Sequence, residues 1–386
     1  MSIRIALDLR GLNHGSFTGV NHYTLRLLKH LPEHLNKDRI NYTGLGLFPQ
    51  TYQKLLPVLP KLARWEFLSV GEYARLPQSN DQQLNSGLTL LAQRFFPNTT
   101  RCQSFDLVVL PQPKALPFHP ESKVVTVFHD FFGVAHPEFL TFRHRLVENL
   151  RIYRSLIQKS SFILVNSYAT GFASRDLGGA EESRIRLLYP ADLGQSYRSV
   201  FSSPPRKNPY LLAISSLEPR KNWLNLLAAY ADFYRRYPEV GLVILGHRPQ
   251  TTYAKKLLNR CREQAGVTVL TNVSEETKHR YLQHCRALLY PSFYEGFGFP
   301  ILEAQRYAKP VVTSPLGSMP EIAGQGGVYA NPYRPLEIGA ALRLLQEDPE
   351  YYRSLQDYAR TNYTRFSWND FERRLHRALR DALLTN

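Results

Sequence analysis

Short apolar, β-branched segments alternate with amphipathic segments of helix length along nearly the whole chain. Continuous apolar runs are typical of strands that are buried on both faces. Their alternation with helices indicates parallel, doubly wound α/β sheets. The predicted strands are residues 3–9, 40–47, 65–70, 107–110, 124–128, 162–165, 185–188, 210–215, 241–245, 267–270, 287–290, 311–314 and 327–330.

The length of 386 residues exceeds what one hydrophobic core usually serves, so two domains are expected. Residues 199–209 are polar and proline-rich, which is typical of a linker. We therefore predict one domain at 1–198 and a second at 199–366. Ser367 followed by Asp370 predicts the start of a last helix over 367–386. This helix carries an apolar stripe, and we expect it to pack back on the first domain.

The net charge of +16 fits three kinds of partner, which are nucleic acid, an anionic membrane surface and anionic small molecules. The excess is spread over both halves, with one local concentration of Arg and Lys among apolar residues at 143–159. We favour an ordinary helix with a solvated face there. The alternative is a helix that lies near anionic lipid.

The number and spacing of the cysteines, together with the hydropathy of the chain, indicate the cellular compartment. Cys102, Cys261 and Cys285 are far apart and odd in number, which predicts neither a zinc site nor a disulfide framework. No apolar run is long enough for a transmembrane helix, and the N-terminus has no signal-peptide pattern. We therefore expect a cytoplasmic protein.

The segment 288–304 has the strongest chemical pattern. A strand runs into a glycine-containing loop, and Pro300 then occupies the predicted first position of a helix. The free N–H groups of Ile301 and Leu302 would favour a phosphate at that helix start. Glu295 and Glu303 would bracket an elongated ligand that has hydroxyls at both ends.

A structural interpretation of the same segment is a helix whose acidic first turn is stabilised by the helix dipole. That interpretation suffices for Glu303 taken alone. It accounts neither for Glu295 nor for Gly296 and Gly298, which let a backbone approach a ligand closely. We therefore favour a binding function for the whole segment.

Arg220 and Lys221 follow the strand at 210–215 and precede a predicted helix. Two cations at a helix N-terminus are unfavourable by roughly 0.3–1 kcal/mol each, and a bound anion would reverse the sign. A diphosphate fits, with arginine as a fork and lysine as a point charge. The alternative is that both side chains simply extend into solvent.

Two features of the first domain indicate a binding function less strongly than the motifs above. His129 ends a buried strand, where ligand-binding residues of parallel sheets lie, although a single histidine is more often a hydrogen-bonded structural residue. The loop at 11–21, which includes Gly19, has glycines whose amides could reach a phosphate or a sugar. It lacks the G-x-G-x-x-G pattern, and a plain flexible loop is the competing interpretation.

Taken together, these motifs resemble the large retaining glycosyltransferase family with the GT-B fold, glycosyltransferase family 4 (glycosyl transferases group 1), in its mannosyltransferase-like branch. The resemblance covers nearly the whole chain, from residues 18–23 through 128–130, 218–222, 295–303 and 318–324 to 366–368. It implies two Rossmann-like domains that face a cleft. Residues 1–198 would bind the acceptor and residues 199–366 the nucleotide sugar.

The resemblance also implies roles for single residues. Arg220 and Lys221 match the pair that neutralises the donor diphosphate, and Glu295 matches a residue near the hydroxyls of the transferred sugar. Glu303 matches the residue that binds the ribose, and His129 matches a histidine that approaches the donor sugar across the cleft. The remaining expected nucleotide-sugar contacts are Gly19, Gly298, Phe299, Pro300, Ile301 and Leu302.

The implied reaction is transfer of a hexose, with retention and without metal or cofactor, from a nucleotide-diphosphate sugar to a glycan or lipid-linked acceptor. Cell-surface polysaccharide assembly is the expected setting, in the cytoplasm or at the inner face of the plasma membrane. GDP-mannose is the first donor expected, and UDP-glucose or a UDP-N-acetylhexosamine the second. Two different activities compete with transfer, namely sugar-nucleotide epimerisation and non-catalytic binding of membranes or nucleic acid by a basic surface. We expect no nucleic-acid partner.

Overall fold

The computed structural model describes residues 2–13, 19–35, 38–46, 64–68, 103–114, 116, 118–139, 150–192, 201, 203–247 and 251–385. The chain divides into two compact units. Unit 1 comprises Met1–Pro190 together with Trp368–Asn386, and unit 2 comprises Ala191–Ser367. The boundaries expected from the sequence are 198/199 and 366/367, within eight residues of these.

Unit 1 is built on an eight-stranded sheet in the order β2-β3-β1-β5-β6-β7-β8, with β4 beside β3. The pairings are parallel except for the antiparallel pair β2–β3. The strands are β1 (Ile3–Asp8), β2 (His34–Leu35), β3 (Asp38–Leu45), β4 (Arg64–Leu68), β5 (Leu107–Leu110), β6 (Lys123–Phe128), β7 (Phe162–Val165) and β8 (Ile185–Leu187).

The described helices of unit 1 are α1 (Gly19–Lys29), α2 (Phe132–Ala135), α3 (Leu150–Lys159) and α4 (Tyr168–Asp176), together with α12 (Trp368–Leu384) at the C-terminus. Strands β5 and β7 are buried along their whole length, as expected for central parallel strands. A core cluster that includes Phe128, Phe131 and Ile163 lies around these strands.

The C-terminal helix α12 belongs to unit 1. Its apolar stripe is buried, with Phe371 and Leu375 fully inaccessible. Trp368 stacks on the ring of His30, which follows α1, with the ring centroids 5.3 Å apart. Lys123 of β6 donates a hydrogen bond to the carbonyl of Leu383 at 2.8 Å. An amphipathic helix gains most of its stability from such packing of its apolar face.

Unit 2 has a six-stranded, all-parallel sheet in the order β11-β10-β9-β12-β13-β14. The strands are β9 (Tyr210–Ser216), β10 (Gly241–His247), β11 (Val267–Thr271), β12 (Leu288–Tyr290), β13 (Val311–Thr313) and β14 (Gly327–Tyr329). The described helices are α5 (Trp223–Arg236), α6 (Thr252–Glu263), α7 (Glu275–His284), α8 (Phe299–Gln305), α9 (Met319–Ala323), α10 (Pro335–Glu347) and α11 (Pro349–Tyr363).

The core of unit 2 lies against its central strands β9, β10 and β12. Trp223, Tyr230 and Phe233 of α5 are almost fully buried in a cluster with residues of these strands. The register aligns Leu212 of β9 with Leu288 of β12, which makes the two strands neighbours. The loops that follow β9 and β12 therefore begin side by side at the carboxyl edge of the sheet.

Each strand predicted from the apolar runs has a counterpart in the structure, with small shifts at the ends. The two-residue strand β2 was missed because a run that short carries no periodic signal. In the basic segment 143–159, helix α3 buries Leu156 and Ile157 while Arg151 and Arg154 are exposed. Residues 143–149 of that segment, residues 14–18 of the first loop and Cys102 lie outside the described residues.

Candidate active site

The connection from β9 to α5 holds the predicted cationic pair. Pro219–Lys221 form a short 3₁₀ turn, and Asn222 then adopts a left-handed conformation with φ of 61° before α5 begins. The Asn222 side-chain amide donates to the carbonyls of Pro291 at 2.9 Å and Pro332 at 2.7 Å. Asparagine is one of the few residues that tolerate this backbone conformation, and here its side chain also ties the turn to the loop after β12.

The loop between β12 and α8 carries Glu295 and is held from the β13–α9 turn. The Ser318 hydroxyl lies 2.9 Å from the carbonyl oxygens of both Glu295 and Phe297. Gly317 has φ of 58°, and a Cβ atom there would come within 2.8 Å of the Glu295 carbonyl. Only glycine fits that approach, so the sequence Gly317-Ser318 fixes the backbone beneath Glu295.

Arg220, Lys221 and Glu295 form one ion-paired cluster. Lys221 Nζ lies 2.5 Å from Glu295 Oε1, and Arg220 Nη1 lies 3.2 Å from Glu295 Oε2. Arg220 also pairs with Glu218 at 3.2 Å, and Lys221 donates to the Tyr290 hydroxyl at 3.2 Å. The side chains of Lys221 and Glu295 are 7% and 8% exposed and that of Arg220 is 24% exposed, so Arg220 is the most accessible of the three.

The charges of the cluster perturb one another. Burial alone would raise the pKa of Glu295, but Lys221 and Arg220 lower it to about 2, so the carboxylate is ionised at neutral pH. Burial and the neighbouring Arg220 lower the pKa of Lys221, while Glu295 opposes that shift. Burial also raises the pKa of Tyr290, with Glu295 acting in the same direction, so the phenol stays neutral.

Glu303 lies apart in a second ion cluster. Its carboxylate, 4% exposed, pairs with Lys278 of α7 at 2.9 Å, and Lys278 pairs in turn with Glu275 at 2.8 Å. Burial raises the pKa of Glu303 against the opposing effect of Lys278. Sequence reasoning missed Lys278. Its spacing from Glu275 indicates a helical ion pair, but nothing local points to Glu303, 25 residues further on.

The start of α8 differs in detail from the prediction. The helix begins at Phe299, so Pro300 is its second residue and Glu303 lies in its second turn. Gly298 precedes it with φ of 99°. The Ile301 N–H donates to the Gly298 carbonyl at 3.0 Å, and the expectation that this amide is free is therefore wrong. A tight turn at a helix start satisfies an amide in this way.

The first-domain candidates belong to unit 1. His129 follows β6 and is buried, and its Nε2 donates to the Pro111 carbonyl at 2.7 Å, which places the proton of the neutral ring on Nε2. Burial lowers the pKa of His129, so the neutral form is favoured. The rings of Tyr23 and His129 make a T-shaped contact with their centroids 4.8 Å apart. Gly19 is the first residue of α1 and is exposed.

The described residues contain neither a cluster suited to a metal ion nor a helix suited to a bilayer. No group of three or more His, Cys, Asp or Glu side chains in the described ranges could hold a metal ion. None of the helices that the structure describes combines the length and the apolar character needed to span a bilayer.

Solved structures define the class of fold. The chain is similar over 98% of its length to the whole chain of Anabaena HepE crystallised with UDP and glucose, with a TM-score of 0.72 and 19% identity. Sucrose-phosphate synthase from Thermosynechococcus elongatus matches with a TM-score of 0.70 and 16% identity over 98% of each chain. The fold is GT-B, with two parallel-sheet α/β domains, and the predicted fold class is confirmed.

Sequence comparison then defines the domain. Residues 199–362 match the family model described as Glycosyl transferases group 1, so the second half of the chain contains a domain of that family. O-antigen chain mannosyltransferase B of Escherichia coli is 32% identical over 255 residues, which cover 60% of this chain and 63% of that relative. O-antigen chain mannosyltransferase RfbU of Salmonella typhimurium is 22% identical over 205 residues, or 52% of this chain and 56% of the relative. These matches span less than two thirds of the relatives' length.

Proposed function

We propose that the protein is a retaining glycosyltransferase that moves a hexose from a nucleotide-diphosphate sugar to a hydroxyl of a glycan or lipid-linked acceptor. Cell-surface polysaccharide assembly, in the cytoplasm or at the inner face of the plasma membrane, is its proposed setting. The ion cluster of Arg220, Lys221 and Glu295 inside the glycosyl transferases group 1 domain carries the proposal. It joins two cations and one ionised carboxylate at the carboxyl edge of a parallel sheet, where ligands of such sheets bind.

In the proposed reaction, the bond between the anomeric carbon and the β-phosphate oxygen breaks, and the electron pair leaves with the diphosphate. Arg220 and Lys221 stabilise the charge that develops on that leaving group, without a metal ion. The acceptor hydroxyl attacks the anomeric carbon from the same face, and its proton passes to a phosphate oxygen. Glu295 holds both cations in place and accepts hydrogen bonds from the sugar, while Glu303 binds the ribose and His129 the sugar.

GDP-mannose is the proposed donor. Relatives from Escherichia coli and Salmonella typhimurium carry the name mannosyltransferase, which supports mannose as the transferred sugar. One observation favours UDP-glucose as the second candidate, since HepE, a GT-B structure similar over nearly the whole chain, was crystallised with UDP and glucose.

Nucleotide-sugar binding can be tested before any acceptor is known. A thermal-shift panel of GDP-mannose, UDP-glucose and a UDP-N-acetylhexosamine measures which donor stabilises the folded chain. We expect GDP-mannose to raise the melting temperature most, and the Arg220→Ala variant to lose most of that shift. Arg220 suits this test because Lys221 still neutralises Glu295 when the guanidinium is removed. Arg235→Ala, on an exposed face of α5, is the matched control and keeps the wild-type shift.

Turnover tests the catalytic part of the proposal. Once an acceptor is found, Arg220→Ala should lower kcat by about 100-fold or more, the usual loss when one charge-stabilising group is removed. Proton NMR of the product then reports whether the anomeric configuration is retained. Full transfer by Arg220→Ala would exclude the assigned diphosphate role. A new sugar nucleotide formed from donor alone would identify an epimerase.

A further inference from the structure

The outward face of α12 concentrates positive charge. Arg373, Arg377 and Arg380 are spaced by four and three residues, so they lie along one side of the helix. His376 lies on the same side. Like charges at this spacing weaken an isolated helix, so the arrangement has a cost that the packing of the opposite, apolar face must offset.

These side chains line a cavity of about 370 Å³. Its lining residues are His34, Leu35, Arg373, His376, Arg377 and Arg380. The volume falls in the range of small-molecule sites. Three of the six lining residues are arginines and none is acidic, so an anion is the ligand that this lining favours.

The arginines are only partly neutralised by neighbours. Arg373 pairs with Asp370, which also pairs with Arg374 at 2.6 Å. Arg380 lies 3.8 Å from Asp381, a long ion pair. Arg377 has no acidic partner among the residues that the structure describes. The cavity therefore retains a positive potential that an anionic ligand would neutralise.

The walls of the cavity are held in place. His376 Nε2 donates to the carbonyl of His30, the residue that follows α1, at 3.0 Å, and Glu372 of α12 pairs with His30 Nδ1 at 2.7 Å. Beneath them the buried stripe of α12, with Phe371 and Leu375, anchors the helix in unit 1. The three arginines therefore project from a backbone that is already fixed, and this lowers the entropic cost of binding a ligand.

We propose that this cavity, which we call the α12 pocket, binds a phosphate or diphosphate group. Guanidinium groups match phosphate oxygens with paired hydrogen bonds, and three of them suit a ligand with more than one negative charge. The group can belong to a soluble phosphorylated molecule or to the headgroup of an anionic phospholipid. This site is separate from the Arg220–Lys221–Glu295 cluster, and the proposal stands whether or not that cluster binds a nucleotide sugar.

Calorimetric titration with inorganic pyrophosphate tests the α12 pocket. The titration is made in the Arg220→Ala background as well as in wild type, so that binding at the other cluster is recognised. We expect Arg377→Gln/Arg380→Gln to weaken pyrophosphate binding at least about tenfold, since charged hydrogen bonds are lost. Arg374→Gln/Arg360→Gln removes the same charge from positions outside the pocket and should change binding less than about twofold.

Binding to vesicles distinguishes a phospholipid headgroup from a soluble phosphorylated ligand. Co-sedimentation uses neutral phosphatidylcholine vesicles with and without phosphatidylglycerol. Pocket-dependent binding to the anionic vesicles identifies a lipid headgroup, whereas pocket-dependent binding of pyrophosphate alone identifies a soluble ligand. The pocket variant should melt no lower than wild type, because the substitutions relieve repulsion between exposed arginines. If neither probe binds, or if the pocket and control variants bind alike, the proposal is overturned.

Discussion

At the scale of a single residue, the buried charge of Glu295 is neutralised by two cationic side chains. Its carboxylate is almost fully buried between Lys221 and Arg220, which lie 74 and 75 residues away in the sequence. The sequence predicted all three residues at the site, but assigned them to different parts of the ligand. The direct ion pairs of Glu295 with Lys221 and Arg220 were not predictable from the sequence, because they depend on β9 and β12 being neighbours in the sheet.

The Lys221–Glu295 pair should be strongly coupled. Glu295→Gln should lower the free energy of unfolding by about 3–5 kcal/mol, because it leaves a buried lysine without its partner. Adding Lys221→Gln should restore part of that loss, giving a coupling energy of about 0.5–3 kcal/mol in a double-mutant cycle. Urea denaturation of the wild type, the two single variants and the double variant measures this coupling energy.

The exposed pair of Arg360 and Asp357 is the matched control for this cycle. Both side chains are more than two-thirds exposed, and their coupling should not exceed about 1 kcal/mol. Equal coupling in the two cycles would contradict the burial argument.

Acid should weaken the same pair. The pKa of Glu295 falls from an ordinary value of 4.5 to about 2 on folding, so its contribution to stability is present above pH 4.5. As the pH falls from 4.5 towards 2, the carboxylate is protonated in the unfolded chain first, and this contribution is lost. The difference in unfolding free energy between wild type and Glu295→Gln should therefore shrink over that range. A difference that stays constant down to pH 3 would show that the Glu295 pKa is not lowered.

At the scale of elements, the loop between β12 and α8 depends on the β13–α9 turn beneath it. Ser318 is fully buried and reaches two carbonyls of that loop. Ser318→Ala should cost about 1–3 kcal/mol, because the Phe297 carbonyl loses its hydroxyl donor, whereas the Glu295 carbonyl keeps the Ser318 N–H at 3.2 Å. We also expect weaker binding of the donor nucleotide, since the loop that carries Glu295 is less firmly held. Thermal shift with and without nucleotide measures both effects.

Ser354 provides the control for that substitution. Its hydroxyl donates to the Tyr351 carbonyl within α11 at 2.7 Å, and its side chain is half-buried. Ser354→Ala should change stability by less than about 0.5 kcal/mol and leave nucleotide binding as in wild type. If Ser318→Ala behaves in the same way, the turn does not hold the loop.

At the scale of the whole molecule, each unit has its own core. Phe371 of α12 is fully buried in unit 1, and Phe233 of α5 is almost fully buried in unit 2. Phe371→Ala should cost about 3–5 kcal/mol and speed amide exchange in β5 and β6, while β9 and β10 keep their protection. Phe233→Ala should give the reverse pattern. Hydrogen-exchange mass spectrometry distinguishes the two, and equal loss of protection in both sheets would contradict separate cores.

The sequence by itself determined the elements and the chemical types of the candidate residues. Apolar runs and helical periodicity predicted the strands, the last helix and the α/β class, because these signals arise within a few residues of one another. Motifs at strand ends located Arg220, Lys221 and Glu295.

Only the tertiary structure decided which of these residues meet. Sheet order places β9 beside β12, packing of the apolar stripe joins α12 to the first unit, and Lys278 meets Glu303 across two helices. The α12 pocket likewise brings residues of β2 together with a helix more than 300 residues later. Such contacts depend on the packing of segments that are distant in the sequence, and local periodicity does not predict that packing.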